Sequence, residues 1–286
     1  MNFMSGPLAL RLAAAATSIA LISCAQQPAA PAASGAAGKP AQAVSPTPGQ
    51  RAAASPAATV DPGVLQSLDR MGAFLRTLKS FEVTLSSTTD AVLDNDQLAQ
   101  VGRSSRLKVR RPNGIHADMA DDGGDRKLLV YNGRTATLFD PQTKYYATVQ
   151  APPTLREVAN LLNDRYGIEL PAADLFAWGT DKVDTSGIRS ADFLGVTQVD
   201  GVLTDHFALR QDGFDWQIWI EQGRTPVPRK LLITTTSDPA KPQHSVLMRW
   251  NLAPKFAAGI FDFKPPAGSQ RIVIQKVDGT LDTPGK

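Results

Sequence analysis

From Asp61 to Leu252 the order of apolar and polar residues changes period repeatedly, and the changes predict the elements. Asp61-Pro62 supplies a helix N-cap and a proline for the first helical position. Val64, Leu65, Leu68, Met71, Leu75 and Leu78 then recur at helical spacing, which predicts an amphipathic helix ending near Ser80. Phe81, Val83 and Leu85 alternate with Glu82, Thr84 and Ser86, so the period switches to that of a strand. Arg106 to Arg110 alternates strictly and stops at Pro112-Asn113-Gly114. Ile115 to Met119, Lys127 to Tyr131, Ala136 to Phe139 and Lys144 to Gln150 continue as short strands. Between them lie the turn signals Asp121-Asp122-Gly123-Gly124, Asn132-Gly133 and Asp140-Pro141.

A helical interlude follows. Thr154 caps a segment with Leu155, Val158, Leu161 and Leu162 on one face, and Gly167 ends it. Pro171 to Trp178 reads as a second short helix closed by Gly179. Strands return at 192–199, 202–210, 214–221, 227–236 and 245–252, separated by Asp200-Gly201, Asp212-Gly213, Gln222-Gly223 and Asp238-Pro239. Hairpin-length connections imply an antiparallel meander. Most of these strands carry one apolar face, as in Trp216/Ile218/Ile220, Phe207/Leu209 and Val246/Met248/Trp250. Such a sheet needs a cover, and the helices at 64–78 and 155–178 are the available ones. The predicted class is therefore mainly β with covering helices, α+β: a strongly curved antiparallel sheet, or half-barrel, wrapped around a helical plug.

The N-terminus changes the picture from fold to address. Arg11 precedes a short apolar run from Leu12 to Ile22, shorter than the roughly 20 residues a membrane span needs. Its length fits the core of a signal peptide over residues 1–23. It ends in Leu21-Ile22-Ser23-Cys24, and Cys24 is the single cysteine of the chain. This sequence resembles a bacterial lipobox, in which the thiol is lipidated and the chain is cut before the cysteine. A plain secretory signal cut elsewhere is the alternative. Ala25 rather than Asp after the cysteine favours, by resemblance to the sorting rule of enteric bacteria, the outer over the inner membrane. Residues 24–60 are rich in Ala, Pro, Gln and Ser and poor in large apolar side chains, so they read as a disordered tether. One β domain is expected over 61–275, with a flexible tail at 276–286. One cysteine permits neither an intrachain disulfide nor a multi-thiolate zinc site. A formal net charge of +3 with no Lys/Arg block gives no case for nucleic acid.

Helix, antiparallel strands, helical insertion and further strands together resemble the periplasmic lipoprotein-carrier and receptor fold of LolA and LolB, and its relative in the envelope stress regulator RseB. Trp216-Gln217-Ile218-Trp219-Ile220, Pro226-Val227-Pro228-Arg229-Lys230-Leu231 and Phe261-Asp262-Phe263-Lys264-Pro265-Pro266-Ala267-Gly268 are more specifically similar to a family of predicted periplasmic proteins, a domain of unknown function. The resemblance covers roughly 61–275. It implies binding of acyl chains or lipidated partners in the hollow between sheet and helices.

Candidate chemistry is sparse. His116, His206 and His244 lie far apart and form no metal-ligand spacing. Asp205-His206 with Ser245 lacks a nucleophile elbow, and strand neighbours point to opposite faces. Asp121-Asp122-Gly123-Gly124-Asp125 lacks the alternation and distal Glu of a calcium loop. Arg106, Lys108 and Arg110 share one strand face, with Arg103 and Arg111 nearby, and form a candidate basic patch for anionic headgroups or an acidic partner. Trp178, Trp216, Trp219 and Trp250 are candidates to line a cavity, although alternation turns Trp219 away from Ile218 and Ile220.

The expectation is a non-enzymatic, membrane-tethered periplasmic lipoprotein that uses no cofactor and no metal and binds a hydrophobic ligand: an acyl chain, lipid or lipoprotein. Trp216, Ile218, Ile220, Val246, Met248 and Trp250 would line the hollow. Leu155, Val158 and Leu162 would form its lid. The alternative is an envelope interaction or stress-sensing module with a closed core.

Overall fold

The structure is a computed structural model that describes residues 59–178 and 185–282. Cys24, the apolar run and nearly all of the tether lie outside the described residues.

Asp61 caps the first helix, α1 (Pro62–Thr77), by accepting from the Gly63 amide at 2.7 Å. Two hairpins and their continuation follow: β1 (Ser80–Val92), β2 (Leu98–Arg110), β3 (Gly114–Asp121), β4 (Arg126–Tyr131), β5 (Thr135–Phe139) and β6 (Tyr145–Gln150). The helical interlude is α2 (Leu155–Tyr166) and a short α3 (Asp174–Trp178). Thr154 caps α2, its hydroxyl donating to the Glu157 carboxylate at 2.6 Å and accepting from the Glu157 amide at 3.3 Å. Gly167 ends it at φ 65°, a left-handed conformation that glycine adopts without steric cost. The second meander is β7 (Ser190–Val199), β8 (Val202–Gln211), β9 (Phe214–Glu221), β10 (Pro228–Thr235) and β11 (Gln243–Asn251), and β12 (Gln270–Arg271) closes the series.

Among the described residues twelve strands form one open sheet in the order β12-β6-β5-β4-β3-β2-β1-β11-β10-β9-β8-β7. The two meanders join where β1 pairs with β11, Val83 facing Trp250 and Leu85 facing Met248. The mostly β, curved-sheet expectation therefore holds, with two parallel additions at the edges. Beside β6, β12 runs parallel. At the other edge Val60 bridges Ala191 in parallel, the Asp61 amide donating to the Ala191 carbonyl at 3.0 Å. Short segments thus cover part of each edge, which protects a sheet from pairing with another chain.

From that bridge on β7, α1 crosses the inner face to reach β1. Its 16 residues span about 24 Å at the helical rise of 1.5 Å per residue. Five interstrand steps from β7 to β1 at about 4.8 Å each give the same length. The helix is therefore as long as the half-sheet it covers. It buries Val64, Leu68, Met71 and Leu75 there.

The hairpin β1–β2 extends farther than its apolar alternation predicts. Beyond Leu85 its inner positions are Ser87, Thr89 and Ala91, and beyond Leu107 they are Ser105, Arg103 and Val101. The apolar alternation lapses beyond Leu85 and Leu107, while the backbone pairing continues to Val92 and Leu98.

The chain after β11 supplies the cover of the opposite face. Phe261 is buried, with the Arg110 guanidinium 4.6 Å above its ring and Phe256 meeting it edge-on at 5.5 Å. Phe263 lies 5.6 Å from Phe139 and 5.3 Å from Tyr146. This strap explains why Val130, Thr137 and Phe139 are buried although they point away from the helices. The part of the expected tail at 276–282 then turns back to α2, where the Val277 amide donates to the Arg165 carbonyl at 3.0 Å and Arg165 pairs with Asp282 at 3.3 Å.

Candidate functional site

The inner face of the sheet is the one place where side chains from nearly every element converge. Register puts Trp216 between Leu209 and Ile233, Ile218 between Phe207 and Leu231, and Val246 between Leu231 and Ser87. Leu155, Val158 and Leu162 of α2 and Leu175, Phe176 and Trp178 of α3 belong to the same buried cluster. Eight of the nine nominated lining and lid residues belong to one buried cluster: Trp216, Ile218, Ile220, Val246, Met248, Leu155, Val158 and Leu162. Trp250 packs against that cluster half-buried, 5.3 Å from Phe81, and its indole N–H donates to the Pro228 carbonyl at 2.8 Å. The structure thus brings all nine together, and in the state described their side chains pack against one another. Two surface clefts, of about 430 and 170 Å³, lie beside the C-terminal segment and are lined by residues such as Leu161, Lys276 and Ile274. None of the nine lines either cleft.

Tyr131 anchors the α2 end of this interior, its hydroxyl donating to the Pro152 carbonyl. Burial, then the nearby Glu157 carboxylate, push its pKa up to about 12. It stays neutral at every physiological pH.

Toward the β1–β2 hairpin end of the inner face the residues turn polar. His244 Nδ1 lies 2.8 Å from the Thr89 hydroxyl. Burial lowers its pKa, opposed by the Glu169 carboxylate and aided by Arg103. Ser87, Arg103 and Asp121 occupy neighbouring inner positions. This polar end was missed in the sequence, and its one available signal is strand parity: each of these residues sits an even number of steps from an apolar inner residue.

Trp219 faces outward, as alternation predicts. It stacks on His206 at 4.0 Å and lies under the Lys230 ammonium at 4.6 Å. His206 Nε2 lies 2.9 Å from Gln217 Oε1. His116, also outward, has its Nδ1 3.4 Å from Asp118. Burial lowers its pKa, with Asp118 opposing and Lys108 adding to the shift. Among the described residues no three His, Cys, Asp or Glu side chains gather as metal ligands would. In the acidic turn Asp121 accepts from the Asp125 amide at 2.9 Å within the turn, and Asp122 accepts from the Gly102 amide of β2 at 2.8 Å, so both carboxylates hold local backbone.

The basic patch is divided. Arg106, Lys108 and Arg110 share the outer face of β2, across from Thr84, Glu82 and Ser80. Arg110 is committed to the Phe261 ring. Arg103 points to the inner face. Arg111 lies at the turn, partly buried, with two guanidinium nitrogens lacking a hydrogen-bond partner, and burial lowers its pKa.

Fold and site together define a sheet-and-helix scaffold that concentrates apolar surface on the inner face of a curved sheet. Within that class the chain belongs to the family of predicted periplasmic proteins designated DUF2092, whose model matches residues 65–275. No curated protein matches it by sequence. Among solved structures it is similar to the lipoprotein LppX of Mycobacterium tuberculosis, with 14% identity over 68% of this chain and 98% of that one and a TM-score of 0.43. It is also similar to LprF of Mycobacterium bovis (11% identity, 74% and 100% covered, TM-score 0.40). A LolA superfamily protein of Nitrosomonas europaea gives 12% identity, 70% and 97% coverage and a TM-score of 0.32. These are distant likenesses, and the assignment rests on the family match.

Proposed function

We propose that this protein is a non-enzymatic lipoprotein on the periplasmic side of the cell envelope that binds the acyl chain of a lipid or lipoprotein between its sheet and its helices. In this reading residues 1–23 are removed, Cys24 carries the anchoring lipid, and residues 24–60 tether the domain to the outer membrane. The sheet acts as a half-barrel and the helices as its plug, with Leu155, Val158 and Leu162 as the lid that lifts.

The observation that carries the reading is the single apolar cluster shared by sheet and helices. Exposing such surface to water costs about 25 cal/mol per Å². An acyl chain sliding beneath α2 replaces one apolar contact with another, so the helix can lift without that cost. The closed packing of the nine residues favours a second reading as well. There the protein is an interaction or stress-sensing module whose core is only structural and whose outer face, with Arg106 and Lys108, meets a partner.

Native mass spectrometry of the protein purified from a bacterial envelope, followed by solvent extraction, separates the two. The first reading predicts a co-purifying lipid or acyl species, or uptake of a fluorescent fatty acid by the stripped protein. A clean apo mass with no uptake would overturn it and leave the second.

A further inference from the structure

Among the buried polar atoms without a partner are the indole nitrogens of Trp178 and Trp216 and Oε1 of Gln211, and the last two belong to adjacent strands. Trp216 is 4% exposed and Gln211 is 7% exposed. Trp216 Nε1, a donor, and Gln211 Oε1, an acceptor, are both buried without a hydrogen bond. Register places them on the same face of adjacent strands: Leu209 faces Trp216 and Gln211 faces Phe214, so Gln211 is the diagonal neighbour of Trp216. Diagonal neighbours lie about 7–8 Å apart at the backbone, within reach of long side chains. Leaving a buried donor or acceptor unpaired costs about 1–3 kcal/mol each, and such groups call for an explanation. Trp250 marks the contrast, since its indole N–H finds the Pro228 carbonyl.

A hydrocarbon satisfies neither atom. A carboxylate would accept from Trp216, but it would bring an unpaired charge into an apolar site and face the lone pairs of Gln211. One group that both accepts and donates satisfies the two together. We propose that the interior takes a neutral amphiphile whose hydroxyl or primary amide bridges Trp216 Nε1 and Gln211 Oε1, its chain lying along Ile218 and Leu231. This rests on the acyl-binding reading above and names the ligand class for that same site.

The test uses the full-length mature protein and three probes of equal chain length: 1-tetradecanol, tetradecanamide and tetradecane. Each competes with a fluorescent fatty acid. The alcohol and the amide are expected to bind about tenfold more tightly than the alkane, as one to two net hydrogen bonds allow. In W216F and Q211L that preference, read as the ratio of alcohol or amide affinity to alkane affinity, falls to about twofold or less. The ¹⁵N indole resonance of Trp216 moves on adding the alcohol and not on adding the alkane. Equal binding of all three probes, or a preference that survives both substitutions, overturns the proposal and leaves the acyl-binding reading standing; such a pair of atoms would then hold an internal water only. If the fluorescent fatty acid binds and none of the three displaces it, this proposal alone falls; if the fatty acid itself does not bind, the acyl-binding reading falls and this proposal with it.

Discussion

Replacing Cys24 with alanine is expected to move the protein from the membrane fraction to the soluble periplasmic fraction. The chain has no other cysteine, so no second thiol can take the lipid. Each buried methylene of an acyl chain contributes about 0.8 kcal/mol to anchoring, and one chain alone holds a protein only marginally. The several chains of a bacterial lipoprotein make the partition effectively complete. Removing the thiol therefore gives an all-or-none change rather than a graded one. Fractionation followed by immunoblotting measures it, with metabolic palmitate labelling as a second readout. A C24A protein that stays with the membrane would place the anchor elsewhere.

The soluble form so obtained allows the second large effect to be measured. Phe261→Ala is expected to lower the unfolding free energy by about 3 kcal/mol, the lower end of the range for a buried phenylalanine. Phe261 is 4% exposed and holds the strap against the sheet through Arg110 and Phe256. The strap also approaches the backbone closely at Gly114, where a β-carbon would stand 3.1 Å from the Phe261 ring. Its loss frees Phe263 and the segment leading to β12, so Phe139 and Tyr146 lose their cover as well. For a domain of this size the melting temperature should fall by roughly 6–12 °C. Denaturant titration checks the free energy. A loss below about 1 kcal/mol would mean that the strap is peripheral to the fold.

The meanders, the caps at Asp61 and Thr154 and the stop at Gly167 were legible because each depends on local chemistry. Asp200-Gly201 is a clear case: both residues adopt positive φ, 50° and 78°, as a two-residue hairpin turn requires. The distal halves of β1 and β2 were not legible. Their inner residues include Ser87, Thr89, Arg103 and Ser105, which break the apolar alternation, and backbone pairing leaves no mark in side-chain period. The strap was visible only as a string of residues, Phe261-Asp262-Phe263, with nothing local to say which surface it covers. One clue did exist in Leu128-Leu129-Val130-Tyr131, a run apolar on both faces. Such a run belongs to a strand covered on both sides. The helices account for Leu129 and Tyr131, and the strap side for Val130.

The candidate lining was legible by the same alternation, because Trp216, Ile218 and Ile220 share one parity and Trp219 has the other. The division of the basic patch was not. Arg106, Lys108 and Arg110 look alike in sequence, and only the return of Phe261 from about 150 residues downstream sets Arg110 apart. The unpaired atoms of Trp216 and Gln211 were equally hidden, since a missing partner is a property of three-dimensional packing.

The central claim is that an acyl chain occupies the space between the helices and the inner face of the sheet. Intermolecular NMR contacts from the methylenes of a bound fatty acid to ¹³C-labelled methyl groups test it most directly. The account predicts contacts to Met248, Ile218 and Leu162. Contacts confined to the exposed apolar residues of β7 and β8, Leu194, Val196 and Leu203, would contradict it and place the chain on exposed surface instead of the buried interior.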